Sequence, residues 1–457
     1  MPTRILIPTG ALGLGFDAEA LKRGVAMKPD AICVDGGSTD SGPYYLGTGT
    51  SKYSRASSKA EWAQLMAARA EAGVPLIIGT AGTCGTDATV DWMADITAEI
   101  AAEQGHKVKV ATVYSSQDKA VVDGALSSGR IKPLQPPVEI DQGTIIDCTN
   151  IVALAGVEQI IAALNTGADI VLAGRTTDTA TIAALPIMRG DHSGAAWHGA
   201  KVGECGALCS TNPTSGVVII DFDEGGFTVT PMAEGAACTP HSVSAHMLYE
   251  NSDPFVLYEP GGHLDVTEAD YASLDDTRVR VTGSRWVPNE TYTVKLEGSR
   301  IAGYQTTLMA TLREQRYVDN ARAWVDRLTG FLHAEISKRM GLGQEQYQFD
   351  FRLIGIDATL GELETRASSP SEVGVLCIIT ADDAETASEI AKLTNPFLLH
   401  YPLTDEEPQA TFAFPYSPAE STRGALYEFC LNHVMELDDP MQAFKINCVE
   451  VGHGHAR

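Results

Sequence analysis

Short apolar runs alternate with longer amphipathic stretches over residues 1–210. Residues 4–8, 31–34, 75–78, 107–113 and 169–172 are short, strand-like and mostly apolar. Such runs suit strands of a parallel sheet covered by helices on both faces. The stretches between them carry helix signals. Asp17 can cap a helix running to about Met27. Ser58-Lys59-Ala60-Glu61 has the S-x-x-E form of a capping box; after it Trp62, Leu65 and Met66 share one face and Gly73 stops the helix. Further helices are expected over residues 88–104, from Asp118 to about residue 126, and over 156–164 and 179–188, with residues 131–146 a proline-containing connection. The order βαβαβαβ…αβα, with right-handed crossovers, brings the strand ends to one edge.

The pattern changes near Gly216. Residues 217–222 and 227–230 flank Asp223-Glu224-Gly225-Gly226 and read as a hairpin. Strands are expected over 278–282, 292–296, 349–356, 374–379 and 443–449, and helices over 317–340, 382–393 and 423–434. The expected fold class is α/β: an N-terminal, mostly parallel sheet with helices on both faces, followed by an α+β region. The expected domains are 1–215, holding the candidate site, 216–395, and a C-terminal segment 396–457 that packs on the second domain or on a partner subunit. The tail from Gly452 to Arg457 is expected to fray.

Composition narrows the function classes. Hydrophobic residues make up 44% of the 457 residues and charged residues 20%, as in a soluble globular protein. The formal net charge of −26 argues against nucleic acid, which needs a basic surface, and against anionic membranes. No apolar run approaches the roughly 20 residues that span a bilayer. The opening MPTRILIPTG reads as a first strand rather than a secretion leader. Nine scattered cysteines, several inside apolar runs, fit reduced thiols and a cytoplasmic location rather than a disulfide framework.

The predicted strand ends carry the candidate chemistry. The first turn, Gly10 to Gly15, spaces its glycines as G-x-x-G-x-G, which is not the dinucleotide fingerprint, although Asp35 stands where a ribose carboxylate would. In the loop DGGSTDSG, Ser38, Thr39 and Ser41 offer donors to an anion, and Asp40 is a candidate acid/base group or metal ligand. The bland reading is a tight loop whose Asp and Ser cap the backbone. In GTAGTCGTD, Thr80, Gly82 and Thr83 could bind a carboxylate, while Cys84 reads as a packed thiol. Arg175-Thr176-Thr177-Asp178 ends a strand. Arg175 offers a planar fork for a substrate carboxylate, and Thr176 a further donor. Asp178 could take a proton, bind a metal or pair with Arg175. Glu204 and Cys205 could supply a carboxylate and a thiol. His241, beside Thr239 and Ser242, is a candidate general base, with His246 read as structural. His263 and Glu297 are lesser candidates.

The ordered set GADIVLAGRTTDTA, KVGECGAL, SVSAHMLYENSDPF, EPGGHLD, RVRVTGSR, YTVKLEG, NPFLLHYPL, FAFPYSPAE and RGALYEFCLNHVMELDDP resembles the acyclic terpene utilisation (AtuA-like) family. Gly174-Arg175, Asp178, Glu204-Cys205-Gly206, Ser242 and Glu297-Gly298 match the family pattern. The first turn departs from it, with GLGFD where a GDR-like turn is expected. The resemblance implies a cytosolic protein tied to catabolism of branched acids or their CoA esters. Together these readings give a homo-oligomeric lyase of the hydratase kind, or an isomerase, acting on a small carboxylate or acyl-CoA. Asp178, Glu204 or His241 moves the proton. Arg175, Thr176, Ser38, Asp40, Thr80 and Gly82 hold the substrate. No cofactor is demanded; a divalent metal on Asp40, Asp178 or Glu204 is possible, without support from their spacing. The alternative is a non-catalytic binding or assembly subunit for an acyl-CoA-metabolising partner enzyme.

Overall fold

A computed structural model describes residues 2–366 and 369–452, so residues 453–457 of the tail expected to fray lie outside it. The chain forms two compact units, residues 1–300 with 429–457, and residues 301–428. This division does not coincide with the boundaries expected near 215 and 395. The hairpin Val218–Asp223 and Gly226–Pro231 joins the N-terminal sheet beside Thr3–Ile7, and Lys445–Gly452 adds to that sheet along Lys107–Tyr114.

The first unit is built on a ten-stranded sheet. Its centre is parallel, in the order Thr3–Ile7, Ala31–Asp35, Leu76–Gly79, Ile170–Ala173, Lys107–Tyr114. Every residue of Ala31–Asp35, Leu76–Gly79 and Ile170–Ala173 is buried, which is why these runs are apolar without alternation. Side chains nonetheless divide by parity. Leu6, Ile32, Val34, Ile78 and Leu172 pack with Leu21, Trp62, Met66, Val90 and Ile96 of the helices Ala18–Ala26, Arg55–Ala72 and Asp87–Gln104. Ile5, Ile7, Cys33, Ile77 and Val171 pack with Val122, Ile160, Ala183 and Trp197 of the helices Lys119–Ser127, Val157–Leu164, Ala180–Arg189 and Ser193–Gly203. Helices thus cover both faces, as the sequence pattern predicts.

Local departures have local causes. Asp17 caps its helix by accepting from the N–H of Glu19 and Ala20. The helix expected to open at Ser58 begins at Arg55, because Ser54 accepts from Ser57 N–H one turn earlier. The proline-containing connection holds a strand, Ile131–Pro133, and a helix, Gln142–Asp147, capped reciprocally by Asp141 and Thr144. The long helix over 317–340 is two, Gln315–Asp319 and Ala321–Met340. The helix expected at 423–434 is instead a strand, Ser421–Leu437.

In the second unit Tyr347–Ile354 pairs antiparallel with Val373–Ala381, which pairs with residues 304–312. The helices Ala321–Met340 and Ala384–His400 cover this sheet through Trp324, Leu328, Leu332 and Ile390 against Leu308, Val375, Cys377 and Ile379. It is the α+β region of the fold. Among the described residues no helix is long and apolar enough to cross a membrane.

Candidate functional site

The loops that leave the carboxyl ends of the parallel strands are laced together by backbone hydrogen bonds. Leu12 N–H donates to Asp35 C=O at 2.8 Å, Gly36 to Gly79 at 2.7 Å, Thr83 to Gly36 at 3.1 Å and Thr80 to Gly174 at 2.9 Å. Arg175 N–H is shared between Gly85 C=O at 3.0 Å and Ser115 Oγ at 2.7 Å. This lacing is why one position must be glycine: at Gly85, with φ +64°, a Cβ would lie 2.2 Å from Arg175 N. Three non-glycine residues here, Thr80, Thr83 and Glu250, hold φ of +46°, +79° and +51°. Each costs about 1–3 kcal/mol and persists only where its surroundings fix it.

Beneath the turn sits a buried ion pair. Arg175 Nε donates to Glu297 Oε2 at 2.9 Å and Nη2 to Oε1 at 3.2 Å. Nη1 donates to Thr80 Oγ1 at 3.2 Å and to Thr176 C=O at 3.1 Å. Thr39 Oγ1 donates to Glu297 Oε2 at 3.0 Å. Lys295 Nζ adds a second cation 3.2 Å from Glu297. Burial opposes the Glu297 carboxylate, but Arg175 and Lys295 outweigh it and pull its pKa down to about 2. Asp178 is a weaker partner, 3.7 Å from Nη1.

The loops enclose a cavity of about 550 Å³. Asp35, Asp40, Asp178, Glu204 and Glu250 line it, with Cys205, Ser38, Thr83 and Tyr53; Lys52 is the one basic side chain among the described lining residues. Burial pushes Asp35 well above the usual carboxylate range and the Asp178 charge adds to this, against Arg175 and the Gly36 and Gly37 N–H groups. Asp35 Oδ1 has no hydrogen-bond partner. Burial also raises Asp178, though Arg175 holds it back. Glu204 is pushed up to about 8, by burial against the pull of Lys201, with which it forms an i,i+3 ion pair through Oε1. Glu204 in turn outweighs the burial of Lys201 and raises its pKa. Nearby, burial lifts Glu259 to about 7 although Thr179 donates to it, and lowers His246 to about 4.

The structure therefore brings together Asp178, Glu204, Ser38 and Asp40 at one cavity. Arg175, Thr80 and Thr176 do not line it: they hydrogen-bond to one another, and the Arg175 donors are committed to protein partners. Gly82 does not line it either; it packs against Thr89 in a left-handed turn. His241 is exposed on the first turn of Pro240–Ala245, away from the cavity lining. Ser242 caps that helix with Thr239 and donates to Cys209 C=O at 2.7 Å. Cys84 is buried among Thr86 and Thr89, the packed thiol expected of it. Sequence reasoning missed Asp35 as an acid/base group, and missed Lys201, Glu250 and Glu259. Asp35 does carry a signal, since it is an ionisable residue ending an otherwise wholly apolar strand.

Arg175→Ala leaves the Glu297 charge buried with only Lys295, and urea unfolding should show a loss of about 3–5 kcal/mol. The double variant with Glu297→Ala should lose less than the sum of the two singles; strict additivity would refute the pairing. A second expectation concerns pH. Glu259 has its pKa raised from an ordinary 4.5 to about 7, so across that window the native state holds a proton that the unfolded chain has released. Its stabilising contribution is full below the ordinary value and is lost as pH rises toward the native one. Glu259→Gln keeps an acceptor for Thr179 and removes the titration. The fall in Tm between about pH 5 and 8 should be shallower in this variant; equal slopes would count against the assignment.

No curated protein and no solved structure matches this chain. The family model described as acyclic terpene utilisation family protein AtuA matches residues 49–412, a span that holds Arg175, Asp178, Glu204 and Glu297 but not Asp35 or Asp40. Matched over most of its length, the chain belongs to the acyclic terpene utilisation (AtuA) family.

Proposed function

We propose that this chain is a catabolic enzyme, a lyase of the hydro-lyase kind or an isomerase, that moves a proton next to the carbonyl of a small branched carboxylate or its CoA ester. The observation that carries this reading is the pair Asp35 and Asp178, two carboxyl groups of one cavity whose pKa values are raised by burial and set apart by their neighbours. Two acids with different environments supply the two roles of acid/base catalysis. Arg175, 3.7 Å from Asp178, favours its ionised form and makes it the base. Asp35, with an unpartnered Oδ1, is the group that holds a proton and returns it. Arg175 acts through Asp178 and Glu297 rather than on the substrate, so it is a positioning residue. A substrate carboxylate would meet Lys52, whose Nζ stands 3.1 Å from Ser41 Oγ, and the hydroxyls of Ser38 and Tyr53.

The test works whatever the product proves to be. A panel of short branched acids and their CoA esters is incubated with the protein in deuterium oxide, and exchange or hydration is read by mass spectrometry. At least one member should exchange or gain water. Asp178→Asn and Asp35→Asn should lower that rate by about 10²–10⁴, whereas His241→Ala should leave it unchanged. Folded Asp178→Asn and Asp35→Asn proteins that react at the wild-type rate would end this reading.

A further inference from the structure

One group of side chains at the cavity is not explained by proton transfer. A carboxylate oxygen of Glu204, the Cys205 sulfur and a ring nitrogen of His246 all lie within 4.8 Å of one another. His246 is only 4% exposed, and its Nε2 has no hydrogen-bond partner. A buried imidazole nitrogen with no partner is costly, because the desolvation penalty of the group is not offset. The imidazole is also held in place, stacked on the Tyr249 ring at 5.5 Å between centroids with 20° between planes.

We propose that Glu204, Cys205 and His246 form a binding site for a zinc-type divalent cation, with its fourth position open to the cavity. Carboxylate, thiolate and imidazole together are a donor set that suits zinc rather than magnesium or calcium, which take oxygen ligands. Three protein ligands with one open position is the arrangement of catalytic rather than structural zinc. Tetrahedral ligation at zinc bond lengths places donor atoms roughly 3.5 Å apart, so the group needs a modest contraction. Lys201 engages Glu204 through one oxygen, Oε1, and a carboxylate has two to share between a lysine and an ion. The backbone at Cys205 is set by Gly10, where a Cβ would lie 2.9 Å from Cys205 Cα. Cys205 and Glu204 line the cavity and give the fourth position its access. Loading the ion releases the proton carried by the Cys205 thiol to solvent, with no redox change. Proton transfer to substrate stays with Asp35 and Asp178. The cation site goes beyond the proposed reaction and does not depend on it.

The experiment is a cobalt(II) titration of the full-length protein after treatment with a chelator, followed by displacement with zinc. Wild-type protein should develop a thiolate-to-cobalt band in the near ultraviolet and strong visible bands of tetrahedral cobalt, and zinc should abolish both. Cys205→Ser should lose the thiolate band, and His246→Ala should weaken binding by more than about tenfold. Cys448→Ser, at an exposed thiol, should behave as wild type. Absence of the thiolate band from folded wild-type protein would overturn the proposal, and this arm relies on no variant. A band that persists in Cys205→Ser would overturn it too. Deuterium exchange without cobalt binding would leave the proton transfer standing and remove the metal site; cobalt binding without exchange on any substrate would do the reverse.

Discussion

The buried pair of Arg175 and Glu297 is the constraint on which the site depends. It joins the turn after Ile170–Ala173 to the strand that runs through Leu296 and Glu297, and that strand is itself paired with Cys148–Ala153. A buried ion pair is weak evidence for stability, since desolvating two charges costs several kcal/mol each. What it supplies is position. With Nε and Nη2 on Glu297, and Nη1 on Thr80 and Thr176, the guanidinium has one orientation. Asp178 is three residues along the same turn, so fixing Arg175 fixes where Asp178 meets the cavity. The strained Thr80 and Thr83, and the Cβ-free Gly85, are consequences of folding three loops closely enough to reach that arginine.

The second determinant is an excess of acid. Five carboxyl groups and one lysine line the cavity. In a poorly solvated space such a group cannot ionise fully, because each charge raises the cost of the next. Burial is the first cause of the raised values of Asp35, Asp178 and Glu204, and acidic neighbours add to it: Asp178 at Asp35 and at Glu204, and Asp40 at Asp178. Carboxyl groups with raised pKa values are what the proposed proton transfer requires, so the burial and crowding that are costly to the fold suit that chemistry.

How much of this is legible in the chain varies with the physics involved. The buried parallel strands are legible because burial on both faces leaves no polar position, and the convergence of their ends follows from crossover handedness. Asp178, Ser38 and Asp40 are legible because they sit at those ends; Glu204 ends the helix Ser193–Gly203 and is legible only as a carboxylate in a motif of the family pattern. The role of Arg175 is not, since its partner Glu297 is 122 residues away and sequence spacing carries no information about such a pair. Nor is the exposure of the two histidines of CTPHSVSAH. Both are near small polar residues, and only the packing of the Pro240–Ala245 helix decides that His241 faces out and His246 in. The strand Ser421–Leu437 reads as a helix in sequence because Leu426, Phe429, Cys430, His433 and Val434 recur at helical spacing. From Leu431 onward its buried residues in fact alternate as Leu431, His433, Met435 and Leu437, a period that pairing with Ile131–Pro133 selects.

On the proposed function, an acidic cavity that receives a carboxylate substrate has to lose negative charge first. Two devices are available to this chain. A proton on Asp35 lowers the charge without any added group, but it is lost as pH rises through the raised value, so substrate binding would weaken in that direction. A divalent cation on Glu204, Cys205 and His246 lowers it by bound charge, and it does so best once those ligands have given up their protons. The two devices therefore have opposite pH dependence. With a proton alone, affinity for an anion falls across the range where Asp35 ionises; with the cation bound, affinity is held through that range. The buried Lys201 fits either case, because it offsets the Glu204 charge through Oε1.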